Sequence, residues 1–178
     1  MQEIDLARLH NWLNAAHLKP FYMQEPISIE EVSRKFRPRI ERSDSCHSLL
    51  AYQAGVPFGY IQWYLNRSVP EYGVATIGEI DGVTFDYFIG DTDYLGKGLG
   101  ASMLFSTIEM ITELLGLEDR IFFVGHEPKN KNAIKCSKRA GFIHQDQKNY
   151  TENGKHYQLY ANDLRSNSPL DSISSDTE

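Results

Sequence analysis

Cysteine is scarce in this chain. Cys46 and Cys136 lie far apart and form no Cys-x-x-Cys pair, which excludes a disulfide framework and a cysteine-based zinc site and leaves both thiols reduced and structural. Long apolar runs are missing as well. No stretch approaches the roughly 20 residues of a membrane span, and no basic-then-apolar leader opens the chain, so the expected setting is the cytoplasm with no membrane partner. Positive charge is in short supply: 24 acidic against 18 basic side chains give a net charge of −6. That balance argues against a nucleic acid held through its phosphates and favours a cationic partner. His47, His126, His144 and His156 are scattered without ligand spacing, so no metal is expected. Internal repeats and Gly/Ser/Pro-rich linkers are absent, which leaves one domain over residues 1–164. Residues 165–178 hold too few apolar side chains to fold and read as a disordered tail.

With 41% hydrophobic residues in 178, one domain can bury a real core. Ile4, Leu6, Leu9, Trp12, Leu13 and Ala16 recur at helical spacing, predicting an opening helix that ends near Lys19-Pro20. Ser28 and Glu31 form a capping box for a second helix, which Pro38 disturbs. A hairpin follows, with strands at residues 48–52 and 58–64 around a turn at 54–57. Residues 65–82 make a loop longer than most connections and hence a candidate substrate loop. Next come a strand at residues 83–89, a helix at 99–115 stopped by Gly116, a strand at 121–124 and a helix at 133–139 stopped by Gly141. Asn153-Gly154 is a two-residue turn signal pairing residues 142–150 with 155–162. The class is α+β.

Tyr94-Leu95-Gly96-Lys97-Gly98-Leu99-Gly100-Ala101 lies between the 83–89 strand and the long helix. Glycines at alternate positions let backbone N–H groups close on an anion, and the helix start adds unpaired N–H groups and a positive dipole end. The spacing fits neither the NTPase loop nor the dinucleotide fingerprint. Just upstream, Glu71, Glu79, Asp81, Asp86, Asp91 and Asp93 crowd one stretch, where they could focus negative charge on a cleft or simply form a solvated acidic loop.

The element order, the glycine loop and the downstream run from Asn130 through Cys136-Ser137-Lys138-Arg139-Ala140-Gly141-Phe142 resemble the GNAT superfamily of acyl-CoA-dependent N-acetyltransferases. The opening from Asp5 to Asn14 and the run from Phe85 to Gly100 look like its aminoglycoside 6′-N-acetyltransferase branch. The resemblance implies a central mixed, mostly antiparallel sheet flanked by helices, with acetyl-CoA as co-substrate. It implies cofactor contacts from Phe88, Ile89, Gly90, Gly96, Lys97, Gly98, Leu99, Gly100, Ala101 and Asn130, with Asp86 as the catalytic base. Glu79, Asp81, Tyr22 and Tyr64 are the acceptor-binding candidates, with Trp63 as a further ring for stacking and His126 at the edge of the cofactor groove. An alkylamine with a pKa roughly two units above ambient is only about 1% neutral, so a carboxylate that takes its proton aids attack.

Three departures stand out. Leu95 occupies the loop's usual Arg/Gln position, Ser137 stands where the family has a tyrosine that protonates the departing thiolate, and little chain precedes the first helix for the family's first strand. The favoured acceptor is an aminoglycoside 6′-amine or a similar polycationic amine. The alternatives are a siderophore-assembly hydroxylamine such as N6-hydroxylysine, or a non-catalytic acyl-CoA-binding module. Monomer and homodimer both remain open.

Overall fold

The computed structural model describes residues 1–22, 25–69, 81–116 and 120–167. Helix α1 (Asp5–Leu13) buries Leu6, Leu9, Trp12 and Leu13, while Ile4 is exposed. It stops earlier than its apolar spacing suggests because Asn14 turns its amide onto Ile27: Nδ2 donates to Ile27 O at 2.9 Å and Oδ1 accepts from Ile27 N at 3.0 Å. That clamp closes the α1–α2 connector. Helix α2 (Ile29–Ile40) opens on the expected capping box, with Glu31 N donating to Ser28 Oγ at 3.2 Å and Ser28 N to Glu31 Oε2 at 2.8 Å. It runs through Pro38 for only two more residues.

Strands β1 (His47–Gln53) and β2 (Val56–Leu65) form the expected hairpin, turning on Ala54 and Gly55, both at positive φ. The long loop leaves and returns at one point, because Asn66 N donates to Gly82 O at 2.9 Å and Asn66 Oδ1 accepts from Thr84 Oγ1 at 2.7 Å. Strand β3 (Val83–Ile89), helix α3 (Leu99–Leu115), strand β4 (Ile121–His126) and helix α4 (Lys131–Arg139) follow. Gly116 closes α3 in the left-handed conformation.

The last hairpin departs from expectation. The segment after α4 is not one strand but two short ones, β5 (Ile143–His144) and β6 (Tyr150–Glu152), which pair with opposite ends of β7 (Lys155–Asp163). Between them a 3₁₀ turn at Asp146–Lys148 is held by His144 Nδ1 to Asp146 at 2.7 Å and His144 Nε2 to Asn149 at 3.1 Å. These local polar contacts compete with the ladder and win where the segment has little to bury.

Seven strands form the sheet, in the order β1-β2-β3-β4-β7-β5 with β6 against β7; the β3–β4 pair is parallel and the rest antiparallel. One face carries Tyr60 and Phe88 against α1 and α2. The other carries Ile61, Trp63, Phe85, Phe122 and Val124 against α3 and α4. No strand precedes α1 among the described residues. Residues 164–167 form a short 3₁₀ turn, and the rest of the expected tail lies outside the described residues. No described helix is long and apolar enough to cross a membrane.

Trp12 fixes α1 to the end of β3. A Cβ on Gly90 would lie 2.0 Å from an indole carbon, and real side chains do not approach so closely. Gly90→Ala should therefore displace Trp12 and cost about 1–3 kcal/mol, read as a lower urea midpoint with an unchanged slope.

Candidate active site

Strands β3 and β4 pair at only three positions, Val83 with Phe122, Thr84 with Phe123 and Phe85 with Val124. Beyond Phe85 and Val124 they part, and a cleft opens between the ends of two parallel strands. Antiparallel pairing alternates the direction of the main chain. Gly90 N donates to Phe58 O on β2 at 2.9 Å, so Phe88 and Asp86 also turn their main chains toward β2, while Tyr87 and Ile89 turn theirs into the cleft. Among the expected donor-edge residues, Ile89 thus presents its amide to the gap and Phe88 does not. Phe88 instead packs its ring against Trp12, Tyr22 and Tyr60. Two residues at this edge were missed from sequence: Tyr87, and His17, whose Nε2 sits 2.9 Å from Ile89 O.

Alternation puts the side chains of Asp86 and Tyr87 on opposite faces. Asp86 is deep but partly open, and its Oδ2 accepts from Gln62 Nε2 at 2.8 Å. Gln62 Oε1 in turn accepts from Arg39 Nη1 at 2.5 Å and Tyr60 OH at 2.8 Å, which fixes the amide with its NH₂ toward the carboxylate. Burial pushes the Asp86 carboxyl above the ordinary aspartate range, and the Gln62 bond with the Lys35 and Arg39 charges pulls back only part of that rise. Gln62 was invisible in the sequence because only strand register brings it opposite Asp86.

A cavity of about 420 Å³ lies on the same face, lined by Phe21, Tyr22, Glu25, Glu31, Lys155 and Tyr157 among others. Asp86 is within electrostatic reach of its walls. Tyr22 is pushed up by burial and then by Tyr60 and Asp86, Glu152 by burial and then by Asp86, and Tyr157 by burial and then by Glu127, Glu152 and Asp86. Glu127, nearly buried, is flanked by Lys129 at 3.1 Å and Lys155 at 3.2 Å. Gly125 leaves room for Tyr150, whose hydroxyl sits 2.0 Å from where a Cβ would stand.

Among the described residues, the acids on the cavity wall are Glu25 and Glu31, with Asp86, Glu127 and Glu152 in electrostatic reach of Tyr157. Asp81 lies before β3, paired with Arg67 and with Arg120 at 3.5 Å, five residues from Asp86 on extended chain. Glu79 lies outside the described residues. Of the aromatic candidates, Tyr22 joins the cavity wall. Tyr64 stands opposite Thr84 on β2, and Trp63 is buried in the core, stacked on His47 with ring centroids 4.1 Å apart.

The glycine loop bends through Gly96 at φ 72° and Gly98 at φ 81°, which requires glycine at both. Gly98 O takes the Ala101 and Ser102 N–H groups, so those of Leu99 and Gly100 have no intrahelical acceptor. The bare cradle at the N-terminus of a 17-residue helix fits a pyrophosphate. Lys97 rests its ammonium over the Tyr94 ring at 5.5 Å. Asn130 caps α4, its Oδ1 accepting from Ala133 N at 3.2 Å.

Ser137 is wholly enclosed. Its Oγ lies 2.6 Å from His126 Nε2 and 3.0 Å from Tyr87 OH, which also donates to Ala133 O at 3.1 Å. Burial pushes His126 down to about 4 and raises Tyr87, so both rings are neutral around pH 7. Among the described residues, no group of three or more His, Cys, Asp or Glu could hold a metal ion.

Comparison with known proteins agrees with this architecture. Residues 2–149 match the acetyltransferase (GNAT) domain. The chain is 28% identical over 151 residues to the aminoglycoside N(6′)-acetyltransferase type 1 of Klebsiella pneumoniae and to that of Serratia marcescens, spanning 82% of this chain and 72% of each relative. Its fold superposes on AAC(6′)-Ib in complex with ribostamycin and coenzyme A with a TM-score of 0.73 at 24% identity, covering 99% of this chain and 96% of that one. It superposes on the Vibrio cholerae spermidine N-acetyltransferase in complex with CoA and spermine with a TM-score of 0.69 at 14% identity, covering 92% of each. A sheet that splays between its two parallel strands beside a glycine-cradled helix start, together with the domain match over most of its length, makes the chain a member of the GNAT acetyltransferase family, an N-acetyltransferase with acetyl-CoA as its co-substrate.

Proposed function

We propose that this chain acetylates a primary amine of a polycationic acceptor, with an aminoglycoside 6′-amine as the leading substrate. The observation that carries this reading is Asp86, set deep beside an acid-rimmed cavity and next to the β3–β4 cleft. Acceptor ammonium groups sit beside Glu25 and Glu31 on the cavity wall, with Tyr22 and Tyr157 as flat walls for a ring. The similarity to the Klebsiella and Serratia aminoglycoside enzymes supports the acceptor class.

The thioester supplies an activated acetyl group. The protein's part is to hold the donor arm along the edge of Tyr87 and Ile89, to cradle its phosphates at Gly96–Ala101, and to take one proton from the acceptor ammonium at Asp86. The Gln62 amide, fixed by Arg39 and Tyr60, keeps the carboxylate oriented and ionised. A raised carboxyl pKa suits this task, because a stronger base accepts an amine proton more readily.

Thiol release from acetyl-CoA should accelerate with kanamycin or tobramycin and, more weakly, with spermidine. Failure of every polycationic amine to stimulate turnover removes the proposal, and a preference for N6-hydroxylysine transfers the chain to siderophore assembly. Asp86→Asn should lower kcat/KM by roughly 10²–10⁴-fold and abolish the acidic limb of the pH profile, which in the wild type lies above the ordinary aspartate pKa of about 4.

The same shift predicts a stability effect of definite sign. A carboxyl whose pKa is raised on folding favours the folded state when protonated, and loses that advantage as pH rises from the unfolded value through the folded one. Asp86→Asn should therefore melt higher than wild type at pH 7, with the difference shrinking toward pH 4. Gln62→Leu removes the donor that favours the charged carboxylate, so the acidic limb should move to higher pH. An unmoved limb would assign Gln62 a packing role only.

A further inference from the structure

We propose that Arg139 is the phosphate-binding side chain of the Gly96–Ala101 loop, supplying from α4 the positive charge that Leu95 cannot. The loop's own cation is already engaged: Lys97 lies over Tyr94, which itself stacks on Phe58 with ring centroids 5.4 Å apart. Leu95 is exposed and aliphatic. Arg139 reaches the same place from the other side. Its Nη1 stands 3.9 Å from where a Cβ on Gly98 would be, directly over the turn.

This placement follows from helix packing. Cys136 seats α4 against the first turn of α3, its sulfur 2.9 Å from where a Gly100 Cβ would stand. Arg139 is one turn further along the same face of α4, so the contact that fixes Cys136 on Gly100 sets the guanidinium above Gly98. Among the described residues the guanidinium has no hydrogen-bond or ion-pair partner. α4 carries four cations, Lys131, Lys135, Lys138 and Arg139, in a chain whose net charge is −6. A fork of N–H donors over a bare glycine turn matches two adjacent phosphate oxygens, while the turn's N–H groups face them from beneath.

The inference rests on acetyl-CoA as co-substrate and on no particular acceptor, so binding of the cofactor alone tests it. CoA and dephospho-CoA, which lacks only the ribose 3′-phosphate, are titrated calorimetrically into the full chain and its variants. Loss of a charge-assisted contact predicts that Arg139→Gln weakens both ligands by a similar factor, roughly 10- to 100-fold. Arg139→Lys should keep most of the affinity, Lys97→Gln should lose less than Arg139→Gln, and the melting temperature of free Arg139→Gln should match wild type. The proposal fails if Arg139→Gln binds CoA as tightly as wild type or if Lys97→Gln carries the larger loss. It fails equally if the loss disappears with dephospho-CoA, which would assign Arg139 to the 3′-phosphate, or if Arg139→Lys is as weak as Arg139→Gln.

Discussion

The three-residue ladder between β3 and β4 is the constraint on which the rest of the molecule depends. A parallel pair that ended later would close the cleft, and one that ended sooner would lose the core beneath it. Phe85 and Phe122 stack face to face with rings 5.6 Å apart and nearly parallel, which holds the paired end shut. One residue further, each strand turns to other partners. Asp86 is drawn to Gln62 on β2, and Gly125 makes way for Tyr150 on β6. The strands separate because their neighbours on either side claim them, and the gap carries the main-chain edge of Tyr87 and Ile89, with His17 on the Ile89 carbonyl.

The opening also divides the charge. Acids of the connector, β3, β4 and the final hairpin gather on the face covered by α1 and α2, where Asp86 feels the cavity wall. Cations gather on α4 and around the loop at the start of α3. The acidic side is mixed in charge, since Lys155 lines the cavity and Lys35 and Arg39 lie near Asp86, whereas the helix beside the glycine loop carries cations alone.

Local signals were legible in the sequence where one element satisfies itself. The capping box of α2, the glycine end of α3, the span of β3 and the Ala54-Gly55 hairpin follow from short-range chemistry and stand as read. The misses share a cause. α1 ends at Leu13 because Asn14 binds a residue thirteen positions away, and the last hairpin breaks because His144 and Asn149 find each other across a turn. In the candidate site, the places of Asp86 on β3 and of the glycine loop before α3 could be read from the sequence, whereas the Gln62 partner of Asp86 needed strand register and the neighbourhood of Glu127 and Glu152 needed the third dimension. Asp81, offered beside Glu79 as an acceptor-binding acid, is held just before β3 by Arg67 and Arg120, partners that only the folded chain brings to it.

Ser137 is where the chain differs most from its family's pattern, and its surroundings say what the difference does. A hydroxyl shut in by His126, Tyr87 and the first turn of α4 has no face left for a sulfur atom. His126, pushed down to about 4 by burial, carries no imidazolium proton near neutrality, and the Tyr87 phenol, raised by burial, holds its proton in the hydrogen bond to Ala133 O. What they do offer is a tie: one hydrogen-bonded chain joins β3, β4 and α4 directly beneath the point where the strands part. A thiolate is a tolerable leaving group, with a thiol pKa of about 8.5 against far higher values for alcohols. Expelling it without an acid at this position costs little, whereas letting the cleft change width would misplace the donor edge against Asp86. The geometry therefore favours rigidity of the cleft over proton donation at residue 137.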